Sequence, residues 1–239
     1  EAPAAWSARA IDAKRDWLET AGRYTAPGNA ELPSDAQVVG AVQRWSKPSD
    51  VVLCAAGGLP GELHKLWQAG APGGYHMEYG YSCMGYEVAG ALGLKLARPD
   101  REVLCFVGDG SYMMANSELA TAVMRRIPFT VVLTDNRGYG CINRLQAGTG
   151  GAPFNNLYAD CAIEDPPQID YVAHAASMGA HAVKVASVSD LTAQIAAARG
   201  RSKPTVLVID TTAAPGPGAG LAGVGQWWDV AVPEVGDTD

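Results

Sequence analysis

The stretch from Val103 to Gly140, VLCFVGDGSYMMANSELATAVMRRIPFTVVLTDNRGYG, restricts the folds open to this chain more than any other. It reads as strand, tight turn, helix, strand, with Asp109 just past the first strand and Asn136 just past the second. A right-handed crossover lays two such strands parallel, so both turns open at the same carboxyl edge of the sheet, where open α/β sheets bind ligands. Asp109 and Asn136 are therefore placed to share one ligand. A carboxylate and an amide oxygen are hard donors suited to Mg²⁺, which takes few protein ligands and completes its octahedron with water and phosphate oxygens. Gly108 and Gly110 allow a sharp turn and a close approach, and the amides opening the next helix, from about Ser111, face an anion. On the residues alone two readings stand: a site for a metal-bound diphosphate, or an acidic turn in an ordinary Rossmann-like sheet.

The rest of the chain repeats the alternation. Residues 3 to 23 read as a helix with Trp6, Ala10, Trp17 and Leu18 at packing positions, and Pro27, Gly28 and Pro33 then break the pattern. Ser34 or Asp35 caps DAQVVGAVQRWS, where Val38, Val42 and Trp45 recur at helical spacing. VVLCAA (51–56) is a buried strand ending in the glycine-rich turn Gly57-Gly58-Leu59-Pro60-Gly61, a second place where a phosphate can approach the backbone. A polar, aromatic segment from Gly73 leads into a helix rich in small residues, and after Gly140 a long Gly-, Pro- and Asn-rich segment reads as an irregular loop. A helix (169–180), a short strand (AHAVKVA), a helix stopped by Gly200 and the strand PTVLVIDTT follow. His174 and His181 are assigned to packing. The expected fold is α/β, a doubly wound parallel sheet flanked by helices. Its expected divisions are a linker helix from an upstream region (1–34), a ligand-binding domain (35–212) and a Pro/Gly-rich tail (213–239) whose Trp227 and Trp228 lie over another surface.

A net charge of −7 without a Lys/Arg cluster argues against a nucleic-acid partner. No uncharged apolar run reaches spanning length, so no membrane association is expected. The five cysteines show no CxxC pairing, and Cys54 and Cys105 lie in apolar strand-like runs; buried reduced thiols of a cytoplasmic protein are expected, and a zinc site is not. No leader is visible at the start, and Glu1 in place of Met suggests a piece of a longer protein.

The GDG at 108–110, followed after a strand-sized interval by Asp135-Asn136, resembles the thiamin diphosphate (ThDP) motif, which typically ends in Asn-Asn. The departure at Asp135 leaves the second Asn, the metal ligand in that family, in place. The resemblance implies that Asp109, Asn136 and the backbone carbonyl of Gly138 hold Mg²⁺ and that Gly110 and Ser111 contact the diphosphate. It gives Gly58 and Leu59, in the turn after the first strand, a further diphosphate contact. In the Ser-Cys-Met-Gly turn, Met84 would prop the bent cofactor and the carbonyl of Ser82 would meet its aminopyrimidine. The catalytic residue is unassigned in this chain: the activating glutamate is expected in a separate pyrimidine-binding domain. His76 is the one local candidate, with Glu78 beside it; Asn143, Arg144 and Gln146 read either as contacts to a polyhydroxylated substrate or as residues of a solvated loop.

YHMEYGYSCMGYEVAGALG, GDGSYMMANSELATA, CINRLQ and QWWDV together resemble the trihydroxycyclohexane-1,2-dione hydrolases of myo-inositol breakdown, across most of residues 35 to 230. That resemblance implies hydrolytic ring opening of a polyhydroxylated diketone to 5-deoxyglucuronate, in a dimer or tetramer. The alternatives are a carboligase or decarboxylase of the acetolactate synthase type, or a cofactor-binding module without catalysis of its own.

Overall fold

Strand residues alternate between two apolar layers, and this alternation builds the domain. The computed structural model describes residues 3–213 apart from Asn29, Tyr79 and Thr149. The expected tail beyond Ala213, with Trp227 and Trp228, lies outside the described residues.

In chain order the elements are α1 (Ala4–Tyr24), α2 (Asp35–Trp45), β1 (Val51–Cys54), α3 (Leu59–Leu66), β2 (Tyr75–Met77), α4 (Tyr86–Ala97), β3 (Val103–Gly108), α5 (Asp109–Met114), α6 (Glu118–Met124), β4 (Thr130–Asp135), α7 (Gly140–Gly148), α8 (Tyr171–Ser177), β5 (His181–Val185), α9 (Val188–Ala198) and β6 (Thr205–Asp210). The six strands form one sheet in the order β2-β1-β3-β4-β6-β5, every pair parallel. Val52, Cys54, Leu104, Phe106 and Val132 pack on one side with α2, α3 and α9. Leu53, Cys105, Val107, Val131 and Leu133 pack on the other with α4, α6 and α8. The doubly wound α/β fold expected from the sequence is thus the fold observed.

Ser34 caps α2 in a capping box: its hydroxyl accepts from Gln37 N–H at 3.3 Å while Gln37 Oε1 accepts from Ser34 N–H at 3.0 Å. After β1 the chain runs to the edge strand β2 and then crosses back to β3 on the other side of β1. The winding direction reverses between β1 and β3, which opens a crevice at their carboxyl ends.

Four sequence expectations need correction. β2 was not expected, because a half-exposed three-residue edge strand has too few side chains to show a period. It forms by pairing with β1, Leu53 opposite His76. The single helix expected between β3 and β4 is two, since Ala115 is extended and Asn116 Nδ2 bonds back to Tyr112 O at 3.0 Å, ending α5. The loop expected after Gly140 begins as α7. Along α1, Trp6, Ala10 and Leu18 are exposed; only Ala21 is buried, and Trp17 docks by donating its Nε1–H to Lys65 O at 3.0 Å. Cys54 and Cys105 are buried free thiols, whereas Cys83 is exposed and Cys141 and Cys161 are half-buried.

Candidate cofactor site

A cavity of about 780 Å³ occupies the crevice at the β1/β3 reversal. Its wall takes Gly57, Gly58 and Leu59 from the turn after β1, Asp109, Gly110 and Ser111 from the turn after β3, and Asn136, Gly138 and Tyr139 from the turn after β4. Ser82 and Met84 arrive from the segment between β2 and α4, and Arg144 from α7. All nine residues assigned above to metal or cofactor (Gly58, Leu59, Ser82, Met84, Asp109, Gly110, Ser111, Asn136 and Gly138) line this one cavity.

Asp109 is 4% exposed, and its Oδ2 accepts the Gly138 N–H at 3.0 Å. Burial, reinforced by the Asp135 carboxylate, pushes the Asp109 carboxyl up to about 7, against the opposing pull of the Gly110 and Gly138 amides. Asn136 Oδ1 is buried with no hydrogen-bond partner. A buried acid reluctant to ionise and an orphaned amide oxygen in one cavity together form a donor set that a hard divalent cation would satisfy. Gly138 has φ +149, and a Cβ there would lie 2.8 Å from Leu157 Cα, so only glycine lets the turn close on Asp109.

The turn that carries Ser82 and Met84 is held by Glu78, whose carboxylate accepts Tyr81 N–H at 3.0 Å and Cys83 N–H at 2.7 Å. These two backbone bonds also lower the Glu78 carboxyl. Ser82 adopts φ +52, a left-handed conformation uncommon for a side-chain-bearing residue and frequent at ligand clamps. Gly110 is tightly overlaid: a Cβ on it would meet Tyr139 Cε1 at 2.9 Å and the Met84 methyl at 3.6 Å.

Two acids, one lining the cavity and one buried behind its wall, escaped assignment from sequence. Asp35 lines it with Oδ1 buried and unpartnered, and burial pushes its carboxyl up to about 6 although the Arg144 charge pulls it down. The Arg144 guanidinium lies directly against Gly58, in space that a Cβ there would fill. Glu87, at the start of α4, is 1% exposed and bonds to Ser111 and to the backbone of Ala56 and Gly85. The signal that marks it is a lone acid in an otherwise apolar, small-residue helix, YEVAGALG. His76 does not line the cavity; its Nε2 is 2.9 Å from the Tyr86 hydroxyl and its ring stacks on that tyrosine. Glu78 and Asn143 also lie off the lining, as does Gln146, which bonds to Ala152 O and Asn156 Nδ2. His174 Nδ1 and the Tyr112 hydroxyl are hydrogen-bonded at 3.1 Å.

Three turns at the carboxyl edge of a parallel sheet, one acidic, one amide-bearing and one glycine-rich, wall a cavity of the kind that suits a diphosphate-bearing ligand. The family model of the thiamine pyrophosphate enzyme, C-terminal TPP binding domain, matches residues 55–209. The chain belongs to the thiamine pyrophosphate enzymes, through that domain. It is 44% identical over 80% of its length to the 3D-(3,5/4)-trihydroxycyclohexane-1,2-dione hydrolase of Halalkalibacterium halodurans, and 38% over 92% to the Bacillus subtilis enzyme of that name. It spans about a third of these relatives, 30% and 34% respectively. Among solved structures, the thiamine diphosphate-dependent 4-hydroxybenzoylformate decarboxylase of Rhodococcus jostii superposes with TM-score 0.68 at 22% identity, over 77% of this chain and 34% of that one. The benzoylformate decarboxylase of Polynucleobacter necessarius gives 0.65 at 20%, over 75% and 33%. These two likenesses concern the fold.

Proposed function

We propose that the native protein carrying this chain is a ThDP- and Mg²⁺-dependent hydrolase that opens the ring of trihydroxycyclohexane-1,2-dione by C–C cleavage, releasing 5-deoxyglucuronate. The observation that carries this reading is the 38–44% identity to hydrolases of that name over 80–92% of the chain. The cavity supports it, because its donors match what the cofactor and its metal require.

In this proposal Asp109, Asn136 and the carbonyl of Gly138 hold Mg²⁺. Gly58, Leu59, Gly110 and Ser111 receive the diphosphate, and Met84 with the Ser82 carbonyl orients the rings. When bound, ThDP supplies the nucleophilic carbon and the electron sink that C–C cleavage beside a carbonyl needs. Arg144 carries a positive charge at the cavity, suited to the diphosphate or to substrate oxygens. His76 is withdrawn as a catalytic candidate, since it faces Tyr86. The activating glutamate is proposed to come from a pyrimidine-binding domain outside this chain. Exposed Tyr81, Met113, Met114, Tyr139 and Ile142, most of them at the cavity or beside it, offer apolar surface for that domain in a dimer or tetramer. No described helix is long and apolar enough to cross a membrane, and a cytoplasmic location is proposed.

The test loads the native protein with ThDP and Mg²⁺ and offers trihydroxycyclohexane-1,2-dione and pyruvate separately. Ring-opened acid from the dione with no CO₂ from pyruvate is the expected result. CO₂ with an acetolactate-type product would overturn the hydrolase reading in favour of a carboligase, and no turnover of either would favour a binding module.

A further inference from the structure

Glu87 has no task in the reading above, yet its surroundings are built around it. Its two carboxylate oxygens receive the Ser111 hydroxyl, at 2.8 and 2.7 Å, the Ala56 N–H at 3.3 Å and the Gly85 N–H at 3.0 Å. Ser111 Oγ in turn accepts from Gly85 N–H at 2.8 Å. Ala56 and Ser111 stand 31 and 24 residues away in sequence. Ala56 opens the glycine turn after β1, Gly85 follows Met84, and Ser111 belongs to the turn after β3. One carboxylate therefore fastens three of the segments that wall the cavity.

A buried acid without a cation is costly, and it persists here because every neighbour that meets it is a donor. No ion pair to Glu87 is present among the described residues; the titratable groups facing it are the Cys54 thiol of β1 and the Cys105 thiol of β3, both held neutral by burial. A glutamine of the same shape would turn an NH₂ toward one of the backbone N–H donors, so the geometry specifically requires two acceptor oxygens.

We propose that Glu87 is a positioning residue for the cofactor: by engaging the Ser111 hydroxyl and the Ala56 and Gly85 amides it locks the three turns in register and so holds the Gly110–Ser111 backbone against the diphosphate. The proposal rests on reading the cavity as the ThDP site. Burial raises the Glu87 carboxyl, while the bonds from Ser111, Ala56 and Gly85 hold it down, so acid protonates Glu87, removes an acceptor and loosens the cradle.

The experiment measures the ThDP dissociation constant by calorimetry at saturating Mg²⁺, in the native protein and its Glu87→Gln and Ser111→Ala variants, across a pH series. Glu87→Gln should weaken ThDP binding roughly 10- to 100-fold, the usual effect of removing a partner that orients a ligand-binding group. It should also lose the Glu87-dependent part of the fall in affinity at acid pH; titrations of the cofactor itself are common to all three proteins and cancel in the comparison. Ser111→Ala, which strips a donor from the ionised carboxylate, should shift that acid fall to higher pH. Equal affinity and an unchanged pH profile in Glu87→Gln would overturn the proposal alone. Failure of the wild type to bind ThDP would overturn it together with the reading of the cavity. If Glu87→Gln does not fold, the Ser111→Ala profile decides, and an unshifted acid limb counts against the proposal.

Discussion

Gly138 donates its backbone N–H to Oδ2 of Asp109 at 3.0 Å, bridging 29 residues of sequence. The bond ties the end of β4 to the end of β3 and holds the acid in the cavity that Asn136, with its orphaned oxygen, also lines. It also divides the carboxylate: Oδ2 is engaged by the turn, and the metal would compete for what remains.

Asp109→Asn should abolish Mg²⁺-dependent ThDP binding without harming the fold. The Asp109 carboxyl is pushed up to about 7, so the folded chain holds this proton more tightly than the unfolded one, and stability drops as pH rises through that value. The amide removes the penalty. Cofactor titration should show affinity lost by at least ~100-fold, while melting of the cofactor-free protein at about pH 8 should show equal or higher stability. Cofactor affinity like the wild type's would remove Asp109 from the metal site.

Gly138→Ala acts through backbone geometry. At φ +149 a Cβ is strained and meets Leu157 Cα, which belongs to the main chain and has little freedom to move. A cost of about 1–3 kcal/mol, with the Asp109 bond broken and ThDP affinity reduced, is expected from denaturant melts and calorimetry. Wild-type stability would mean that the turn relaxes freely.

Asp35 gives a pH-dependent prediction. Its carboxyl rises to about 6 on folding, so its contribution to stability is full below the ordinary carboxylate range and is lost as pH climbs to 6 and beyond. Asp35→Asn should flatten that decline and stabilise the cofactor-free protein at neutral pH by on the order of 2 kcal/mol. Parallel stability curves for the two proteins would show that Arg144 already offsets the cost of burying the charge.

At the amino-terminal edge of the sheet, Arg199 clamps the buried Asp50 carboxylate at 2.6 and 3.3 Å and lies over the Trp45 ring at 4.1 Å. Arg199→Ala leaves Asp50 buried with only the Lys47 N–H among these partners. The expected loss is about 2–4 kcal/mol, somewhat below a fully buried pair because the arginine is partly exposed, or a Tm lower by roughly 5–10 °C. ThDP affinity should not change, since the pair lies at the edge away from the cavity. A changed affinity would reveal coupling between the two edges of the sheet.

The sequence by itself determined the parallel sheet, because apolar strands and periodic helices alternate, and right-handed crossovers then force every strand-following turn to one edge. Asp109, Asn136 and the glycines of those turns were legible for that reason: each sits next to a strand end, and strand ends are visible locally. The edge strand β2 and helix α7 were not legible, since three half-exposed residues and a glycine-flanked CINRLQAG carry too weak a period to outweigh their turn-like composition. Only the tertiary structure decided that His76 faces Tyr86, that Arg144 rests on Gly58, and that Glu87 joins three turns. Side-chain direction and contacts between residues 24 to 86 positions apart depend on how helices settle on the sheet, and no local pattern encodes that.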